Sequence, residues 1–176
     1  MSTAKKTPTR SSARKSASTD ALKLLTEDHD EVKALFKQYE KLVKDEADDD
    51  EKLAIAQEIC TKLTVHATVE EEIFYPAARQ ALGEDADLID EADVEHASAK
   101  DLIGQIEASS PEDDDHFDAK VKVLGEYIDH HVKEEEGEMF TKVKKAKGDI
   151  DLDAIGEEIA TRKEELMEEL GVPADA

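Results

Sequence analysis

The stretches HATVEEEIFYP at residues 66–76 and HVKEEEGEMFT at residues 131–141 are two copies of one pattern. Each opens on a histidine and carries a glutamate one helical turn later, His66 with Glu70 and His131 with Glu135. The same offset sets Ile59 on Leu124 and Leu63 on Ile128 upstream. The spacings Ile59, Leu63, His66, Glu70, Ile73 and Leu124, Ile128, His131, Glu135, Met139 follow the helical period, with gaps of three and four. In both copies the histidine and the glutamate therefore fall on the stripe that should be apolar.

Working outward, the segments before each copy repeat the arrangement. Leu22, Leu25, His29, Val32, Phe36 and Tyr39 form one stripe, and Ile89, Ala92, His96, Ala99, Ile103 and Ile106 form another. Four helices are expected, over about 20–45, 51–80, 86–108 and 117–146, joined by polar connections. Gly83 marks one turn, and Ser109, Ser110 and Pro111 with the acids after them mark another. A fifth helix, capped by Asp149 or Asp151, is expected to run to about Leu170 and pack outside the bundle through Leu152, Ile155, Ile159, Leu166 and Leu170. The fold class is all-α: an up-down-up-down four-helix bundle built as a duplicated helical hairpin, with an extra C-terminal helix.

An amphipathic helix buries one face. Six imidazole and carboxylate groups on buried stripes would cost far more than the few kcal/mol of net stability a domain has, unless something compensates them. Short connections make neighbouring helices antiparallel. His29 and His66 stand almost equally far along the chain from position 48, the centre of the first connection. Glu70 and His96 stand equally far from Gly83, and His96 and His131 almost equally far from position 113. At about 1.5 Å of rise per helical position, all these groups reach one level of the bundle. A metal cation compensates such a set best, so His29, His66, Glu70, His96, His131 and Glu135 are the expected ligands. Mixed His and carboxylate donors suit Fe, Mn or Zn. Two half-sites suit two metals, each taking one His from each helix of its hairpin, with both glutamates as bridges.

The four blocks, His29 in DHDEVKALF, His66-x-x-x-Glu70 before IFYP, His96 in EHASAKDLI and His131-x-x-x-Glu135 in HHVKEEEGEMF, resemble the hemerythrin-like HHE cation-binding family across about residues 20–146. The resemblance implies two non-haem Fe ions, oxo- or hydroxo-bridged, in preference to Mn or Zn. It implies a small ligand: O2, NO or peroxide. Animal hemerythrins add a further His to one iron. No counterpart is evident here, which implies an open coordination position. Ferritin-like bundles use Glu-x-x-His, whereas the order here is His-x-x-x-Glu.

Composition supports this class. Acidic residues number 46 against 23 basic, Trp is absent, and Gly and Pro are sparse. A net charge of −23 argues against nucleic acid as the main partner and against an anionic membrane. The single Cys60 cannot form an internal disulfide, and a buried small residue is expected there. No apolar run reaches membrane-spanning length, and the N-terminus lacks the apolar segment of a secretory signal. The expected compartment is cytoplasmic.

Residues 1–19 carry five basic residues and no acid, and read as a disordered tail. The domain division is 1–19 tail, 20–147 bundle and 148–176 C-terminal helix with a short tail. His130 maps onto Val65 in the repeat and reads as structural, or as support for a neighbouring ligand. Glu71, Glu72, Glu134 and Glu136 read as outward charges, His116 as a loop residue, and Tyr39, Tyr75 and Tyr127 as core or interface. Three functions stay open: a binder or sensor of a small ligand, an oxidoreductase handling peroxide or NO on the same centre, and an acidic interaction bundle with a structural metal.

Overall fold

The computed structural model describes residues 20–146 and 150–172, apart from the side chain of Asp85. The expected N-terminal tail and the last four residues lie outside the described residues. Helices α1 (Ala21–Lys44) and α2 (Asp49–Val69) form the first hairpin, and α4 (Asp87–Glu107) and α5 (Phe117–Glu134) the second. Helix α1 packs between α2 and α5, and α4 likewise contacts both α2 and α5, closing a four-helix ring. Short helices α3 (Tyr75–Leu82) and α6 (Phe140–Lys145) prolong α2 and α5.

The helix boundaries have local causes. Asp20 caps α1 by accepting from the Lys23 N–H at 3.1 Å, and Asp151 caps α7 (Leu152–Glu169) by accepting from Ala154. Gly83 ends α3 with a φ of 58°, a conformation that glycine adopts without strain.

Two breaks in the α-helical ladder were not expected from the sequence. Residues Glu70–Phe74 and Glu135–Met139 form single π turns, in which the Tyr75 N–H donates to the Glu70 carbonyl and the Phe140 N–H to the Glu135 carbonyl. Each π turn holds one extra residue and so rotates the next stretch of helix about its axis. The expected inward position Ile73 is consequently half-buried, while Phe74 and Tyr75 are fully buried. Both turns start at the two inward glutamates.

The core is split in two. One apolar cluster contains Leu25, Val69, Phe74, Ile89 and Phe140, and the other Val32, Ile59, Leu63, Ile103 and Phe117. Along α1 the split falls at His29, between Leu25 and Val32, and along α4 at His96, between Ala92 and Ala99. A polar belt thus crosses an otherwise apolar interior.

The fifth helix, α7, lies across α1 and α2. Its Ile159 and Leu166 join the first cluster beside Val65 and Val69, while Leu170, expected on its packing side, is half exposed. Cys60 is buried, and burial pushes its thiol up to about 12.

Candidate metal centre

All six sequence-predicted ligands meet in the belt. His29, His66, His96 and His131 are at most 6% exposed, Glu70 is 0% and Glu135 is 2% exposed. The His29 and His66 Nε2 atoms stand 3.1 Å apart, and those of His96 and His131 stand 3.3 Å apart. Glu70 spans the two pairs, with Oε1 at 3.1 Å from His66 Nε2 and Oε2 at 3.2 Å from His96 Nε2. Glu135 Oε2 lies 3.2 Å from His29 Nε2 and 3.8 Å from His131 Nε2. The donors form two groups, His29–His66–Glu70–Glu135 and Glu70–His96–His131, each with its atoms within 4.8 Å of one another.

What aims the imidazoles is a second ring of carboxylates. The Nδ1 atoms of His29, His66, His96 and His131 contact Glu136 at 2.8 Å, Asp28 at 3.3 Å, Glu71 at 3.0 Å and Glu95 at 2.8 Å. An ionised carboxylate only accepts, so each Nδ1 is the donor. A neutral ring then presents a bare lone pair at Nε2, the tautomer that binds metal. Glu71 and Glu136, expected to point outward, therefore orient histidines across the hairpin boundary: Glu71 holds His96, and Glu136 holds His29. In the sequence Glu71 and Glu136 each follow a ligand directly, and Asp28 and Glu95 each precede one, but adjacency on one helix does not show which histidine on another helix each reaches.

Two of these carboxylates are themselves tethered. Lys163 on α7 donates to Asp28, and Lys100 donates to both oxygens of Glu71 at 2.6 and 2.7 Å. The fifth helix thus reaches the belt rather than only coating the bundle. Burial raises the Asp28 carboxyl, but His66 and Lys163 outweigh it and hold the group low.

The electrostatics call for positive charge. Glu70 Oε1 and both Glu135 carboxylate oxygens are buried and accept no hydrogen bond, although imidazole nitrogens lie near them. Burial opposes the charge on Glu70, yet His66 and His96 pull it well below the usual carboxylate range. Burial and the Glu70 charge push Glu135 up. Burial lowers His66, but Glu70 and Asp28 outweigh it and push the ring up to about 10. The belt therefore gathers protons or a cation. Once the rings give up their Nε2 protons, four converging imidazole nitrogens and the unpartnered oxygens of Glu70 and Glu135 match the donor set of a cation held by imidazole and carboxylate.

Tyr75, expected in the core or at an interface, belongs to the site. Its hydroxyl lies 3.2 Å from His96 Nε2 and 3.5 Å from Glu70 Oε2. The π turn at Glu70–Phe74 brings it there. Burial and the Glu70 charge push the phenol well above its ordinary value, so it stays protonated. On the opposite side of the belt, Val32, Leu63, Ala99, Ile103, Ile128 and Val132 close a narrow apolar chamber over the histidines. His116 and His130 lie outside this belt, with side chains 83% and 64% exposed.

Fold and site together define a class: a helical bundle whose interior is built to hold a cation. The chain belongs to the hemerythrin HHE cation-binding domain family, whose model matches residues 20–143. A crystal structure of a hemerythrin HHE cation binding domain-containing protein from Mycobacterium kansasii superposes with a TM-score of 0.67. It is 24% identical and covers 85% of this chain and 88% of that one, a likeness of fold. A curated protein of Nostoc sp. (strain PCC 7120), described as a DNA nickase, is 29% identical over 147 residues. The match takes in 82% of this chain but only 39% of that protein's length.

Proposed function

We propose that the chain is a non-haem di-iron protein that binds O2, NO or peroxide at a carboxylate-bridged centre. His29 and His66 would hold one iron and His96 and His131 the other, with Glu70 and Glu135 bridging. The observation that carries this is geometric: four imidazoles held at Nδ1 by carboxylates, with each Nε2 facing one of two buried glutamates. An iron pair would supply the redox chemistry. The chain's own groups do the rest. The chamber over the histidines is narrow and mostly apolar, which suits a small neutral molecule.

The Tyr75 phenol favours a second reading on the same centre. A protonated hydroxyl 3.2 Å from His96 Nε2 could donate a proton to a peroxide held in the belt, a role that peroxide decomposition draws on. We propose no nucleic acid as main partner and do not extend nicking to this chain. Its net charge of −23 repels phosphate, and most of the Nostoc protein has no counterpart here. No helix among the described residues is long and apolar enough to cross a membrane, and a cytoplasmic location suits one buried, unpaired cysteine. Absorption spectra of the iron-loaded chain before and after O2, NO and peroxide test the proposal. A lasting spectral change supports ligand binding, O2 release from peroxide supports turnover, and an inert spectrum leaves only a structural metal.

A further inference from the structure

The two halves of the bundle differ in their cover by α7. Under α7, the first hairpin carries Val65 and Val69, both buried. The repeat places His130 and Glu134 at those positions in the second hairpin, which α7 does not cover. There the His130 and Glu134 side chains are 64% and 47% exposed. Exposure alone accounts for polar residues at these positions, but not for what they converge on. His130 Nε2 lies 3.4 Å from Glu134 Oε1 and 3.5 Å from Glu95 Oε1. Three donor atoms within 4.8 Å of one another make a one-histidine, two-carboxylate set.

Glu95 joins this set to the interior. Its other oxygen, Oε2, accepts from the buried His131 Nδ1 at 2.8 Å. Beside it, between α4 and α5, a groove rimmed by Val94 and the half-exposed Tyr127 has His96 and His131 among its lining residues. On the first hairpin the equivalent positions are covered, because Val65 and Val69 are buried in one apolar cluster with Ile159 and Leu166 of α7, and Lys163 pins Asp28. The donor cluster thus stands at the uncovered approach to the belt.

We propose that Glu95, His130 and Glu134 form a surface site for a divalent transition-metal cation, and that the site delivers cations along the α4–α5 groove to the buried centre. The binding half stands on these three residues alone, and the delivery half rests on the di-iron reading. The net charge of −23 concentrates cations near the surface, and the three donors favour divalent metals that accept a mixed imidazole and carboxylate set, Mn2+ and Fe2+ among them. No bond to the protein is made or broken beyond coordination.

The test uses the full chain and its variant H130A/E134Q, whose two changes are at exposed side chains. Mn2+ is titrated into each after iron loading, and the free Mn2+ signal is read by electron paramagnetic resonance. Wild type is expected to bind one Mn2+ that the variant does not, with His130 proton resonances broadening first. Equal Mn2+ binding overturns the site. Anaerobic Fe2+ uptake by the metal-free chains is then followed by stopped flow. The variant is expected to load about tenfold more slowly, the lower end of electrostatic focusing, and to reach the same final iron content with the same circular dichroism. Equal rates overturn delivery. A chain that takes up no iron contradicts the buried centre instead, and Mn2+ binding then still decides the surface site.

Discussion

Glu71 and His96 belong to different hairpins, and the Glu71 carboxylate accepts the His96 Nδ1–H at 3.0 Å while Lys100, one turn further along α4, donates to both oxygens of the same carboxylate. Glu136 and His29 repeat the relationship in the opposite direction at 2.8 Å. These two bonds cross-brace the duplicated halves. They also set which imidazole nitrogen faces inward, so the centre depends on residues that would never touch its metal.

Removing a brace should weaken metal binding without unfolding the bundle. Glu71→Ala and Glu136→Ala truncate side chains about one-third exposed. Each is expected to lower metal affinity about 10–100-fold, the usual cost of losing a carboxylate behind a ligating histidine. Competition with a chelator measures the affinity, and far-UV circular dichroism should not change.

The metal-free chain should lose stability as pH rises. His66 is pushed up to about 10 in the fold, against about 6.5 for a free histidine. The folded chain thus holds this proton more tightly than the unfolded one. The stabilisation is complete below about pH 6.5 and is lost as pH climbs through about 10. His96 shifts in the same direction. Thermal melts of the chelated protein at pH 6.5 and pH 9.5 should show the lower Tm at the higher pH. A bound cation replaces the proton, so the loaded protein should show a smaller drop between these values, and loading should release protons.

The π turns make a sharper packing prediction. A regular helix would keep Ile73 on the inner stripe after Glu70, but the structure buries Phe74 completely and leaves Ile73 at intermediate exposure. Phe74→Ala should cost about 3–5 kcal/mol. Ile73→Ala should cost roughly 1 kcal/mol, as expected for a few half-buried methylene groups. Urea unfolding of the two variants measures the difference, and comparable losses would contradict the π register.

The nicking described for the Nostoc relative should be absent here. Supercoiled plasmid incubated with the full chain and a divalent metal is expected to stay supercoiled at physiological salt. Conversion to open circles, abolished by His66→Ala, would show that the charge argument fails and that the belt supports cleavage.

The bundle was readable because its period is carried by residues that are unambiguous on a helix. Leu25, His29 and Val32 keep one stripe, and the structure buries all three. The six belt residues were readable because charge on an apolar stripe has few physical explanations. The π turns were not readable. A π turn adds one residue without changing the composition, and EEEIF and EEGEM carry no mark that separates them from α-helix. Tyr75 was missed for the same reason, since only the widened turn brings its hydroxyl to His96. Glu71 and Glu136 look like solvated charges in a chain with 46 acids. Their role depends on reaching across to the other hairpin, which single-helix spacing does not encode. Lys163 is the extreme case, acting on Asp28 from a different helix at the far end of the chain.

Whether the belt is a di-iron centre is decided by the metal content of the full chain, purified after growth with ample iron and measured by elemental analysis beside His29→Ala/His131→Ala. We expect two irons per chain in the wild type and a loss of most iron in the double variant, with both proteins helical. A wild-type chain without stoichiometric metal, or a variant that keeps the same iron, would contradict the six-ligand centre.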